Sequence, residues 1–235
     1  MTKKLNIALI GCGGWGKNIA RNLHQIGALA CIYDSDQNLS KKLNQDFKLH
    51  DYTINDIFRN ENIQALVIAS SAKTHRDIAE EALKNNKDVL IEKPFCLSLN
   101  DAITLSKLAI KKNKVLMAGH LLNYHNAFIK MQDLIREGKI GETKNIRAQR
   151  LALGAIRSHE SVIYDLAVHD VSMILAIMQE LPVKINAHSI HHNTNIGPDA
   201  VSVKLTFKTG ATALISCDWM CPYKEHKFSV IGSKG

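Results

Sequence analysis

With 235 residues, 46% of them hydrophobic, and a formal charge of +8, the chain holds enough apolar material for one large or two modest domains and is not disordered by composition. Its lysines fall as scattered doublets (Lys3-Lys4, Lys41-Lys42, Lys111-Lys112) without interleaved aromatics or a reading module, which argues against a nucleic-acid partner and leaves a positive field suited to polyanionic small molecules. No run approaches the ~18 apolar residues of a membrane span, and Met1-Thr2-Lys3-Lys4 leads into a strand rather than a signal peptide, so a cytoplasmic protein with no membrane partner is expected.

Residues 5–10 form an apolar run that reads as a strand. It passes directly into Gly11-Cys12-Gly13-Gly14-Trp15-Gly16, a G-x-G-x-x-G turn, and a helical period follows over residues 17–25. In that context each glycine of the pattern has a task. Gly11 makes the tight turn, Gly13 lets the backbone approach a pyrophosphate, and Gly16 lets helix and strand pack closely. The N–H groups at the helix start then face the phosphates. A second short strand, residues 28–33, ends at Asp34, where a dinucleotide fold keeps the acid that accepts from the adenosine ribose 2′-OH. A carboxylate there repels a 2′-phosphate, and no arginine lies between Arg21 and Arg59 to receive one. NAD rather than NADP is the expected cofactor. A ligand-free glycine turn is the bland reading of a lone G-x-G-x-x-G, and the strand, helix and acid around this one weigh against it.

The alternation continues with a helix over residues 36–45, a strand over 65–69, and a helix over 74–85 whose Ile78, Ala79, Ala82 and Leu83 share one face. A strand over 88–91, a helix over 99–111 capped by Ser98 or Asn100, and a strand over 115–118 close the series. This is the grammar of a doubly wound parallel α/β sheet, a Rossmann domain over residues 1–118. Beyond Gly119 the grammar changes. Helical segments over residues 126–137 and 162–178 precede strands over 184–190, 200–207, 211–218 and 227–231, with a hairpin turn at Thr209-Gly210. An α+β domain with a mostly antiparallel open sheet is expected over residues 119–235. Because the last strand runs straight into Gly232-Ser233-Lys234-Gly235, that sheet is expected to be incomplete. Five cysteines, odd in number and without a C-x-x-C pair, read as reduced core residues.

Several polar residues are candidates for chemistry. Lys93, in Glu92-Lys93-Pro94, falls at the carboxyl end of a strand, on the rim where open α/β sheets bind ligands; partial desolvation there would suit its ammonium to polarise a hydroxyl or carbonyl. Asp165 and His169, four apart on the expected helix, point from one face, so the histidine is a candidate base and the carboxylate a candidate orienting group, or the two make a local helix contact. His120, Tyr124 and His125 either line a sugar pocket or pack at a domain junction. Arg150 and Arg157 either contact a diphosphate or a carboxylate or are surface charge. His188, His191 and His192 do not converge on alternating strand positions, and no metal is expected.

In order, Gly11 to Gly16, Thr74-His75, Glu92-Lys93-Pro94, Gly119-His120 and Asp165-x-x-x-His169 make a set that resembles the glucose-fructose oxidoreductase/inositol dehydrogenase (Gfo/Idh/MocA) family of NAD(P)-dependent oxidoreductases. The resemblance implies that Lys93, Asp165 and His169 are catalytic. It implies cofactor contacts at Gly11, Gly13, Gly14, Trp15, Gly16, Asp34, Ser70, Thr74, His75, Glu92 and Lys93, and substrate contacts at Lys93, His120, Tyr124, Arg150, Arg157, Asp165 and His169. The segments Gly119 to His125, Arg150 to Arg157 and Asp165 to Asp170 are similar to those of nucleotide-sugar 3-dehydrogenases of surface-polysaccharide pathways. That likeness implies oxidation at C3 of UDP-N-acetylglucosamine or its uronate, with Asn126 and Val168 standing where that subgroup carries proline. An inositol or free-sugar dehydrogenase, and an inactive NAD-binding regulatory protein, are the rival readings. The family further implies a homo-oligomer joined through the open face of the C-terminal sheet.

Overall fold

In the computed structural model, which describes residues 5–153, 161–191 and 197–235, the chain divides into two units, Met1–Gly119 and His120–Gly235. The first alternates strand and helix: β1 (Ile7–Ile10), α1 (Gly16–Gln25), β2 (Leu29–Tyr33), α2 (Gln37–Phe47), α3 (Ile54–Arg59), β3 (Ala65–Ile68), α4 (Ala72–Lys84), β4 (Asp88–Glu92), α5 (Leu99–Lys112) and β5 (Leu116–Gly119). All pairings are parallel, in the order β2-β1-β3-β4-β5. The chain leaves β1 toward β2 and returns to β3 on its other side, so the crevice of the switch point opens beyond the carboxyl ends of β1 and β3.

Each strand is apolar on both faces because both are covered. Ala8 and Ile10 of β1, Leu66 and Ile68 of β3, and Val89 and Ile91 of β4 enter one core with α3, α4 and α5. Leu9 and Val67, which point the other way, enter a second core with Ala20, Leu29 and Ile32. Helix ends are secured locally. Asp36 accepts from the Asn38 and Leu39 N–H groups at the start of α2, and Thr53 and Asp56 form a reciprocal capping box on α3. That six-residue helix was too short to register as a period in the sequence.

The second unit contains a 3-10 turn (Leu121–Tyr124), α6 (Asn126–Arg136), β6 (Thr143–Leu151), a π-helical turn (Ile163–Ala167), α7 (Val168–Met178), β7 (Lys184–Ile190), β8 (Ala200–Thr206), β9 (Thr212–Asp218) and β10 (Glu225–Gly232). Its sheet runs β10-β6-β9-β8-β7, antiparallel except where β6 lies parallel to β9. Ile146, Ala148, Val201, Leu205, Ala213 and Ile215 pack on one face against Val162, Ala167 and Ile174. On the other face Arg147, Ser202, Lys204 and Leu214 are exposed.

Two expectations are corrected here. β6 was not foreseen as a strand, although it is second in the sheet and joins β10 to β9. Its sequence TKNIRAQRL offers only Ile146 and Ala148 as fully buried anchors among charged and amide neighbours, too thin an alternation to stand out. The helix expected over residues 162–178 is a π-helical turn followed by α7: the Asp165 N–H bonds the Ser161 carbonyl, and the Val168 N–H reaches the Ile163 carbonyl five residues back. A π turn takes in an extra residue, a local irregularity that propensity does not encode and that recurs at functional sites.

Candidate functional site

A cleft of ≈ 440 Å³ lies at the carboxyl ends of β1, β2 and β3, lined among others by Gly11, Gly13, Asp34, Ser70, Ser71 and Thr74. Its glycine turn is built by close approach. Gly11 has φ +94, and a Cβ on it would stand 2.5 Å from the Ser70 nitrogen; a Cβ on Gly16 would stand 2.2 Å from the Gly11 carbonyl oxygen. Gly13 and Gly14 differ. A Cβ on either meets nothing within 4 Å, so the space above them is open to a ligand. That open space over a helix start, together with a carboxylate beside it, fits a dinucleotide diphosphate and ribose.

Asp34 is half-buried and also organises the turn. Its Oδ2 accepts from the Cys12 N–H at 2.7 Å and lies 3.3 Å from the Cys12 Sγ, while Oδ1 accepts from the Asp36 N–H at 3.0 Å. Burial pushes its carboxyl up, but the hydrogen bonds from Cys12, Asp36 and Ser35 together win and hold it below the usual carboxylate range. Burial, reinforced by Asp34, pushes the Cys12 thiol up to about 12, so Cys12 acts here as a neutral packing group. Across the cleft the Ser70 and Thr74 hydroxyls are 2.8 Å apart at the start of α4.

At the adjoining rim, β4 ends in Glu92. The Trp15 indole N–H donates to Glu92 Oε1 at 3.1 Å, and the Lys93 N–H to Glu92 Oε2 at 3.3 Å. Trp15 is otherwise half exposed. The Lys93–Pro94 peptide is cis, and Lys93 is half-buried. His75, expected among the cofactor contacts, is 1% exposed, and both its ring nitrogens face backbone carbonyls, Nδ1 to Pro94 and Nε2 to Ser70, at 3.0 Å each. With both nitrogens so engaged, the ring offers none to a ligand.

On the second unit, Asp165 and His169 project from the π turn and the start of α7. Asp165 is buried and its Oδ2 accepts from the Trp219 indole N–H at 3.2 Å; Trp219 is itself buried. His169 is half-buried. Asp170, 1% exposed, holds the Arg150 Nε–H, which stands 2.9 Å from each carboxylate oxygen. Burial raises the Asp170 carboxyl, and Arg150 draws it back. Arg150 also lines a second cleft of ≈ 390 Å³ with His125, Phe128, Met131, Met173 and His226. His226 stands opposite Arg150 in the β6/β10 register, and burial, then the charges of Arg150 and Lys224, hold its imidazole below the usual range.

The remaining candidates fall as follows. His120 is half-buried, its imidazole lowered by burial, and among the described residues its Nδ1 has no partner. Tyr124 is 63% exposed. Arg157 and His192 lie outside the described residues, and His188 sits on the exposed strand β7. Trp219 and Asp170 were missed in the sequence. Asp170 directly follows His169, but nothing in the sequence alone marks Trp219 as the partner of a carboxylate 54 positions earlier.

Comparison with known proteins extends this picture. The chain is similar to 2,7-anhydro-N-acetylneuraminate hydratase of Escherichia coli K12, at 23% identity over 98% of this chain and 66% of the relative. It is similar to UDP-N-acetylglucosamine 3-dehydrogenase of Acidithiobacillus ferrooxidans, at 27% identity over 89% of this chain and 65% of the relative. It thus spans about two thirds of the length of these curated relatives. A crystal structure of GenD2 from gentamicin A biosynthesis in complex with NAD shares the fold, with a TM-score of 0.89 at 23% identity over all of this chain and 72% of that one. The model of an oxidoreductase family with an NAD-binding Rossmann fold matches residues 5–120, and that of the GFO/IDH/MocA C-terminal domain matches residues 128–235. Between them the two models take in both units, and the chain belongs to the GFO/IDH/MocA oxidoreductase family.

Proposed function

We propose that this chain is an NAD-dependent dehydrogenase that oxidises a ring hydroxyl of a sugar, with C3 of a UDP-N-acetylhexosamine or its uronate as the preferred position. The observation that carries the reading is the open space over Gly13 and Gly14 beside Asp34, with Lys93 presented at the end of β4 on the same sheet rim. NAD, when bound, supplies the hydride acceptor. Gly11, Gly13, Gly14 and Gly16 hold the diphosphate close to the backbone, and Asp34 accepts from the ribose. Ser70 and Thr74 line the same cleft. Glu92 keeps Trp15 and the Lys93 backbone in register.

His169 is assigned as the base that takes the hydroxyl proton, Lys93 as the cation that steadies the developing alkoxide, and Asp165 as the group that orients the base. Trp219 holds one oxygen of Asp165. Arg150 lining the second cleft favours a substrate bearing a phosphate or carboxylate, a preference supported by the similarity to UDP-N-acetylglucosamine 3-dehydrogenase. The exposed face of the second sheet is the proposed contact between copies of the chain, which the mass of the protein in solution would check.

The test is NADH formation with UDP-N-acetylglucosamine, its uronate, myo-inositol and glucose. Turnover with a nucleotide sugar is expected, lost in Lys93→Met while NAD still binds. Full activity of that variant would remove Lys93 from the mechanism, and activity with myo-inositol alone would replace the substrate assignment. Asp34→Ala should weaken NAD and relax its preference over NADP; an unchanged preference overturns the ribose assignment.

A further inference from the structure

Trp15 ends the glycine turn, directly before Gly16 opens α1. That helix packs into the core through Gly16 and Ala20, and the Trp15 indole stays outside, 49% exposed. It is anchored nonetheless, because its N–H donates to Glu92 Oε1 at 3.1 Å. Glu92 is held in turn. Its other carboxylate oxygen accepts from the Lys93 N–H at 3.3 Å. It also stands opposite Gly119 in the β4/β5 register, where a Cβ on Gly119 would come within 3.0 Å of Oε1. The carboxylate thus rests against bare backbone and fixes one edge of the indole, while about half of the ring's surface remains open.

The indole therefore spans from the glycine turn, where the diphosphate is placed, to the rim where Lys93 is presented. An anchored aromatic with open area suits a second flat ring. The reacting ring of NAD is a pyridinium cation when oxidised and an uncharged dihydropyridine when reduced, and tryptophan is the side chain whose face attracts a cation most strongly. We propose that Trp15 is a specificity-determining residue: its indole is the platform for the nicotinamide ring and makes the cleft hold oxidised NAD more tightly than NADH. The inference rests on the reading that places the reacting end of the cofactor beside Lys93. Such a preference loads the hydride acceptor and lets the reduced product leave, which suits the site to oxidising its sugar.

Calorimetric titration of the full chain with oxidised NAD, NADH and ADP-ribose, which lacks the nicotinamide, tests the platform. In Trp15→Leu the ratio of oxidised-NAD to NADH affinity should fall about fivefold or more, while ADP-ribose affinity stays within about twofold. A ratio that does not move, or an ADP-ribose loss as large as that of oxidised NAD, overturns the proposal, because Trp15 would then only build the turn. Where Trp15→Leu fails to fold, Trp219→Phe leaves Trp15 as the sole tryptophan. Its fluorescence should then be quenched by oxidised NAD and not by ADP-ribose, and titrations followed by that signal should give tighter binding of oxidised NAD than of NADH. An equal response to NAD and ADP-ribose, or equal affinity for the two redox states, refutes the platform. A fully active Lys93→Met variant would instead remove Lys93 from the proposed function and leave the selectivity of Trp15 standing.

Discussion

The cofactor cleft and the Asp165–His169 region are built from different materials. The cleft is made of backbone, with glycines that permit contacts no side chain allows and a carboxylate tied to the turn by a neighbouring N–H. The second region is made of side chains that depend on distant partners, Asp165 on Trp219 and Asp170 on Arg150. A backbone site is vulnerable to added atoms, and a side-chain site to removed ones.

Arg150→Met should have the largest effect, about 3–5 kcal/mol of destabilisation, because it leaves the Asp170 charge buried without its partner. The sign with pH follows from the raised Asp170 carboxyl. A carboxyl raised in the folded state favours folding at low pH and loses that contribution as pH rises through its folded value. The loss in the variant, measured by urea unfolding, should therefore shrink as the pH is lowered below neutral; a pH-independent loss would mean that Asp170 is not the group left stranded. Gly16→Ala comes next. Its Cβ at 2.2 Å from the Gly11 oxygen must displace backbone, costing about 3 kcal/mol and the turn itself, so calorimetry should detect both a lower Tm and no NAD binding.

Trp219→Phe keeps the ring and removes the N–H from Asp165. About 1–3 kcal/mol of stability should be lost, with turnover falling more than NAD affinity; equal losses would separate Trp219 from the chemistry. Gly13→Ala sharpens the comparison most although its stability effect is the smallest, within about 0.5 kcal/mol, because its Cβ meets no protein atom. NAD affinity should nevertheless fall at least about tenfold by titration, since the methyl occupies the diphosphate's approach. Unchanged affinity would break the assignment of that open space.

Much of the first unit could be read in advance because its signals are local. The order of strands and helices follows from buried runs of four or five residues separated by amphipathic periods, and the glycine turn with Asp34 was legible as chemistry from spacing alone. The surroundings of His75 were not legible for the opposite reason: its sequence position puts it beside the cleft, and only the packed structure shows both nitrogens facing carbonyls. In the second unit β6 escaped notice because Arg147, Gln149 and Arg150 dilute its alternation, and the π turn at Ile163–Ala167 has no compositional signature.

By itself, then, the amino-acid order determined a parallel α/β sheet followed by a mostly antiparallel one and the glycine turn of an NAD-binding Rossmann domain, because periodicity and turn glycines act over a few residues. Tertiary structure alone decided that Trp219 holds Asp165, that Arg150 neutralises Asp170 and that His75 bridges two backbone segments. Apart from the His75–Ser70 contact, five residues apart, these join positions 19 to 54 residues apart, and a buried polar atom's partner is set by which chain segments are packed against it rather than by its neighbours in sequence.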